Sequence, residues 1–240
     1  MAKRKTRRKT KKSSAPRLFV RRVLRWASYG ALALVAVMTL LMCLGRVVAP
    51  MTTPYMFAES RRLGAVAYDW VPLDRIAPVM ARSVVAAEDA NFCNHWGFDM
   101  RAIRSAIEEG SNRGASTISQ QTVKNLYLWH GRNYTRKALE ALLTPGLEAI
   151  WPKRRIIEVY LNIAEFDRGV FGVKAAAQHY FGVAPSELTG IQAARLAAIL
   201  PDPKDRSASK PSEFVRKRAA SIRDGAATIR KDGRSACFES

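Results

Sequence analysis

Two carboxylates in this chain sit where chemistry could be done. Glu88 continues an apolar stripe, because Met80, Val84 and Glu88 recur every four residues and a helix puts them on one face. A carboxylate held against an apolar wall has its pKa raised, which suits a general acid or base. The plain alternative is a helix-end carboxylate that is solvated or paired. Glu140 lies four residues after Arg136 and three after Lys137, again on one helix face. A surface ion pair is the simple reading; buried among those cations, the same carboxylate would help handle a leaving phosphate or a metal. Between the two runs the polar segment Gly114-Ala-Ser-Thr-Ile-Ser-Gln-Gln-Thr-Val-Lys-Asn125. A helix start rich in Ser, Thr and Gln offers free amides and side-chain donors to phosphate or sugar oxygens. Lys124, Arg132, Arg136 and Lys137 add cations that could meet a pyrophosphate. An ordinary capped helix with a solvated basic face would look the same.

The elements that must position these groups read as helices, with almost no alternating strand pattern. Pro78 suits the first turn of the helix ending at Glu88. Asp99 can cap a second helix carrying Met100, Ile103 and Ile107 and stopped by Gly110, after which Gly110 to Gly114 reads as a mobile loop. Thr117 and Gln120 have capping-box spacing and open a helix through Leu128. A further helix runs from Thr135 to Trp151, kinked near Pro145 and Gly146. In residues 153–163, Ile156, Ile157, Tyr160 and Leu161 face inward. Gly169 and Gly172 break the pattern, Ser186 can cap a helix ending at Leu200–Pro201, and Pro211 to Ile229 makes a last, strongly basic helix. The fold class is mainly α.

Composition places this domain behind an anchor. The net charge of +20 is concentrated at the start: residues 1–25 hold twelve of the 40 basic residues and no acid, leaving 28 against 20 acids downstream. That basic tail runs into an uncharged stretch from Trp26 to Gly45, ended by Arg46. At 1.5 Å per residue it spans roughly the 30 Å of a bilayer's hydrocarbon, and Trp26 and Tyr29 suit the interfacial belt. A cleaved signal peptide would have a shorter apolar core and a small-x-small site, which is not evident here. The positive-inside rule puts the tail in the cytoplasm and the rest on the far side. Tail topology and anionic headgroups account for the charge, so no nucleic-acid partner is expected. The expected organisation is a cytoplasmic tail over 1–25, a transmembrane helix over 26–48, a linker and membrane-proximal segment over 49–72, and a catalytic domain over 73–235. Tyr55, Met56 and Phe57 in the linker could dip into the leaflet or simply pack. Of the three cysteines, Cys43 lies in the membrane run. Cys93 and Cys237 would pair only if the fold brought them together, and unpaired small residues are the expectation.

Taken jointly, these segments resemble the peptidoglycan glycosyltransferases. Glu88-Asp-Ala-Asn-Phe-Cys-Asn-His95-Trp-Gly97 looks like the first signature, E-D-x-x-F-x-x-H-x-G, and Gly114 to Asn125 like the second, G-x-S-T-I-S-Q-Q-x-x-K-N. Arg136-Lys-Ala-Leu-Glu140 is similar to R-K-x-x-E. Ile156-Ile-Glu-Val-Tyr-Leu-Asn162 and Glu165-Phe-Asp-Arg-Gly169-Val-Phe-Gly172 resemble the fourth and fifth. Two departures stand out: Asp167 where glycine is usual, which could alter that loop's backbone freedom, and Thr122 for an apolar residue, which should be tolerated. The likeness is to the monofunctional members, with no transpeptidase domain expected; Ser207-Ala-Ser-Lys210 spells S-x-x-K without partner motifs, a coincidence.

The resemblance implies a lysozyme-like helical domain with a membrane-embedded lobe flanking a cleft. It implies that Glu88 is the base that deprotonates the 4-hydroxyl of a lipid-linked disaccharide-peptide acceptor. That oxygen would attack the anomeric carbon of the growing lipid-linked glycan, with inversion and loss of undecaprenyl pyrophosphate. Glu140, with Lys124, Arg132, Arg136 and Lys137, would handle the pyrophosphate; Ser116, Thr117, Gln120, Gln121 and Asn125 would contact phosphate or sugar oxygens. Asp89 would support the first site, and His95 would pack and hydrogen-bond there. No cofactor is required, although a divalent cation (Mg or Mn) by the pyrophosphate is admitted. The implied partners are lipid II and the growing glycan, the membrane, and cell-division or cell-wall synthesis proteins. The competing reading is degradation by a lysozyme-like hydrolase or lytic transglycosylase, which also uses a cleft Glu. The lysine-rich second and third signatures weigh against it, since a hydrolase binds no pyrophosphate.

Overall fold

The computed structural model describes residues 15–108, 116–131 and 133–239. The expected basic tail up to residue 14, the Gly110–Gly114 loop and Arg132 lie outside them. The chain divides into two units, Met1–Cys43 and Leu44–Ser240.

The first unit is carried by helix α1, Ala15–Val47, of which residues 44–47 belong to the second. The helix starts before the apolar run, so Arg17, Arg21, Arg22 and Arg25 are helical. Its Phe19–Val47 stretch is long and apolar enough to cross a bilayer.

In the second unit the expected linker is itself structured. Thr53 caps α2, Pro54–Leu63, by accepting from Met56 N, and Pro54 occupies the first turn. Strand β1, Ala67–Tyr68, follows. Of the prolines that read as linker, Pro54 starts a helix. Met56 is fully buried and so does not face a bilayer, whereas Phe57 is exposed.

Helix α3, Pro78–Glu88, buries Met80, Ala81, Ser83, Val84 and Val85. Helix α4, Met100–Glu108, is capped by Asp99, which accepts from Arg101 N and Ala102 N at 3.0 Å each. Helix α5, Ile118–Tyr127, begins with the expected capping box of Thr117 and Gln120. Next come α6, Tyr134–Ile150, with Pro145 inside it, and α7, Lys153–Ile163. Burial of Ile156, Ile157, Tyr160 and Leu161 makes α7 the central helix, and α5 packs between α6 and α7.

A small sheet escapes the helical reading. β2, Glu165–Asp167, and β3, Val170–Phe171, pair antiparallel around Gly169, and β1 pairs parallel to β3 with Ala67 opposite Val170. Strands this short give no alternation to detect. Gly172 is obligatory behind them: its φ is +81°, and a Cβ would lie 2.6 Å from Asn162 O. Asp167, the departure from the usual glycine, sits in extended backbone and accepts from Tyr180 OH at 3.0 Å, so it costs the loop no freedom that the loop uses.

Helix α8, Gly172–Phe181, leads to α9, Gly190–Ile199, whose cap is Thr189 rather than Ser186. Ser186 lies in a 3-10 turn, and the Thr189–Gln192 pair completes a capping box that the sequence also spells. Alanines 193, 194, 197 and 198 are all buried, which lets α9 approach α3 and α10, Glu213–Lys231, closely. Ser207 Oγ accepts from Lys210 N at 3.1 Å, so the S-x-x-K letters form a local turn. Helix α11, Ala236–Glu239, ends the described chain. Cys237 within it is disulfide-bonded to Cys93, contrary to the expectation of free thiols. A separation of 144 residues hides such a pair from any local pattern.

Candidate active site

Glu88 closes α3 with its side chain 13% exposed. Its Oε2 accepts from Gln121 Nε2 at 3.0 Å, and the Gln121 amide oxygen accepts from Tyr160 OH at 3.1 Å. Tyr160 is fully buried on α7, so the core fixes Gln121, and Gln121 fixes the carboxylate. Burial pushes the Glu88 carboxyl above its ordinary value; the Gln121 bond, then Arg218 and Lys124, pull it partly back. The result is a carboxylate more basic than a solvated one, with its second oxygen free of hydrogen bonds among the described residues.

Asp89 works one residue further on. One oxygen meets His95 Nε2 at 2.8 Å and the other accepts from Ile118 N at 3.0 Å. Ile118 is the first residue of α5, so Asp89 satisfies one of that helix's orphan amides and pins it to the end of α3. Thr117 accepts from Gln120 N and donates to Gly97 O at 2.7 Å, while the Gln120 amide oxygen accepts from Thr117 N. Both residues are buried. The polar atoms expected to meet a ligand from Thr117 and Gln120 are thus engaged in building the helix start.

The cationic cluster lies on α6. Arg136 and Lys137 each hold one oxygen of Glu140, the former at 2.7 Å, and the Glu140 side chain is only 3% exposed. Lys137 Nζ also donates to Ser116 Oγ at 3.0 Å, which links the polar segment to α6. Both Glu140 oxygens are thus taken up by cations. No group of three or more His, Cys, Asp and Glu suited to a metal occurs among the described residues. Lys124 stands without a hydrogen-bond or ion-pair partner among the described residues. Burial pulls its pKa down, and Glu140 is the chief group pulling it back up.

Gln121, Lys124 and Asn125 line a cavity of ≈ 340 Å³ together with Tyr160, Tyr55, His130, Glu165 and Lys204. Three of the residues chosen from sequence therefore share one hollow. Neither Glu88 nor Glu140 lines it: Glu88 is hydrogen-bonded to Gln121, which does, and the charge of Glu140 acts on Lys124. The other lining groups were invisible to sequence reasoning, because their meeting is tertiary. Tyr55 OH donates to Glu165 Oε2 at 2.6 Å, and its ring stacks on His130. His130 is pushed down to about 4, first by burial and then by Lys124 and Arg136, so it is neutral at pH 7. Lys204 lies 3.5 Å from both Glu59 and Glu165.

Arg218, on α10, is the other residue that was missed. Its guanidinium donates to Ala87 O at 3.4 Å and lies 4.0 Å from Glu88 Oε1. The only signal for it was a basic helix, where one Arg looks like the next. Since its charge lowers the Glu88 pKa, Arg218→Met should move the acid limb of kcat/KM to higher pH. A profile superimposable on that of the parent would remove Arg218 from the site.

A mainly helical domain with a buried carboxylate bonded to Gln121, and a hollow lined by Gln121 and Lys124, is the setting of a glycosyltransferase. Residues 58–227 match the model of the family described as Transglycosylase, and the chain belongs to that family. It is 59% identical over 232 residues to a biosynthetic peptidoglycan transglycosylase of Jannaschia sp. (strain CCS1), covering 96% of this chain and 97% of that one. A protein so named from Caulobacter vibrioides is 45% identical over 224 residues, covering 91% and 98%. One from Escherichia coli O127:H6 is 57% identical over 159 residues, covering 64% and 66%.

Proposed function

We propose that this chain polymerises lipid II into the β-1,4 glycan strands of the cell wall, with release of undecaprenyl pyrophosphate. The observation that carries the reading is the construction of α5: Gln121 holds the buried Glu88, and one turn later Lys124, with no hydrogen-bond or ion-pair partner among the described residues, lines the same hollow as Gln121. A hydrolase needs the carboxylate but has no use for the cation. The relatives' biosynthetic names favour synthesis over degradation as well.

In this mechanism Glu88 takes the proton of the acceptor 4-hydroxyl as that oxygen attacks the anomeric carbon of the donor. The bond to the pyrophosphate oxygen breaks on the opposite face, giving inversion, and the electron pair leaves with the pyrophosphate. Lys124, Arg136 and Lys137, with Arg132, offset the charge that develops there. Ser116, held by Lys137, and Asn125 contact the phosphate and sugar oxygens. Both substrates carry polyprenyl tails, which explains an enzyme fixed to a membrane.

The apolar part of α1 anchors the chain in the cytoplasmic membrane, with the basic N-terminus inside and the catalytic unit outside. The Cys93–Cys237 disulfide supports that orientation, because such bonds persist in oxidising compartments and not in a reducing cytosol. Cell-wall synthesis proteins are the natural partners of such an enzyme.

The test is to incubate the detergent-solubilised protein with labelled lipid II and size the products. A ladder of lysozyme-digestible polymer is expected. Cleavage of preformed glycan without polymer from lipid II would replace this reading with the degradative one.

A further inference from the structure

The end of the chain lies beyond the residues that match the family, 58–227, and folds back onto the loop that follows Glu88. Its attachments are concentrated there. Cys237 is bonded to Cys93. Arg234 Nη1 donates to Ala90 O at 2.9 Å. Phe238 is fully buried with its ring 6.2 Å from that of Phe92, whose face Lys153 covers at 4.4 Å. Two further contacts fix the strap itself: Arg154 donates to Phe238 O at 3.0 Å, and Arg82 of α3 pairs with Glu239 at 2.6 Å.

A cross-link over so long a loop restricts the unfolded chain wherever it is placed, so stability alone could explain the bond. The placement points further. Ala90, Phe92 and Cys93 all lie within five residues of Glu88, between it and His95. Asp89 in the same loop has both oxygens committed, to His95 and to the first amide of α5. A shift of this loop is therefore carried to the start of α5, and Gln121 follows one turn later. Nothing in residues 233–239 reaches the hollow itself.

We infer that residues 233–239 are a positioning strap: by holding the loop after Glu88, they set the distance between Glu88 and Gln121 and so the rate of glycosyl transfer. The inference rests on the reading of Glu88 as the base. Misplacing a reacting group by about 1 Å costs up to ~100-fold in rate, so a loosened loop should lower kcat by about tenfold without changing what the cationic end binds.

The experiment uses the full-length protein carrying Cys43→Ser, so that no third thiol can exchange. Cys237→Ala, Arg234→Gln and Glu88→Gln are made in that background, and kcat, KM for lipid II and Tm are measured well below each Tm. Cys237→Ala should lose about tenfold in kcat with KM within about twofold, and the acid limb of its pH profile should move as Glu88 loses its fixed partner. Reducing the parent with dithiothreitol should give the same loss, and reoxidation should restore activity. A folded Cys237→Ala protein with parental kcat and pH profile would overturn the strap and leave only a stabilising cross-link. If Cys237→Ala does not fold, Arg234→Gln decides, since it keeps the disulfide and removes the Ala90 bond; an unchanged kcat there also overturns the inference. Retained activity in Glu88→Gln would show instead that the base assignment had failed.

Discussion

Glu88→Gln is expected to abolish polymer formation, by at least about 10³-fold in kcat, while the protein stays as stable as the parent or gains stability. The two halves of that result have one cause. Burial raises the Glu88 pKa, so between the unfolded and folded values the native state holds a proton that the unfolded state has released. Stability therefore falls as pH rises through that window, and at neutral pH the charged, desolvated carboxylate weighs against folding. Glutamine fills the same space, accepts the same Gln121 hydrogen bond through its amide oxygen and carries no charge, so the penalty vanishes together with the base. The parent enzyme should in turn lose activity on acidification at a pH above the ordinary carboxylate value, because the base works only when deprotonated. Thermal melts at pH 5 and pH 8 with turnover measurements check both halves. Turnover within a few-fold of the parent would remove Glu88 as the base, and a lower Tm would mean that its charge stabilises the fold.

How much of this was legible beforehand depended on whether the determinant was local. The capping box at Thr117, the Asp99 cap, the Met80–Val84–Glu88 stripe and the inward face of α7 follow from spacings of three and four residues, and all are present. The apolar run of α1 is equally local. What escaped was set by partners far away in the chain. Asn162 of the fourth signature bonds both the N–H and the C=O of Val71, and Glu158 accepts from Leu73 N, so those polar letters tie α7 to the segment before α3. Cys93 found Cys237, and Arg218 found Glu88, through the packing of α10 and α11. The helix inside residues 49–72 went unread for a different reason: Pro54 marks a helix start as readily as a break, and composition cannot distinguish them. Within the site, residue types pointed to chemistry but not to which atoms remain free. Thr117 and Gln120 look like ligand contacts in sequence and are engaged in building the frame.

Glu140 is where the ion-pair and catalytic readings separate most sharply. Glu140→Gln keeps the shape and one acceptor, but it leaves Arg136 and Lys137 without a counter-charge. Arg136 is 11% exposed at its side chain and Lys137 45%. The half-exposed lysine will find water, so the loss should be smaller than for a fully buried pair, about 1–3 kcal/mol, or a fall in Tm of roughly 3–10 °C. A structural ion pair predicts that and nothing more. The site predicts a second effect through Lys124, because Glu140 is the main charge holding the Lys124 pKa up against burial. Without it the Lys124 pKa falls further, the cation is lost at lower pH, and the alkaline limb of kcat should move toward neutrality. With the charges at the leaving-group end rearranged, turnover at pH 7 should drop by about 10²-fold. Melting curves and a kcat profile from pH 6 to pH 10 separate the cases. A lower Tm with parental kcat and an unmoved alkaline limb would make Glu140 a strut for α6 and leave the pyrophosphate to the lysines and arginines alone.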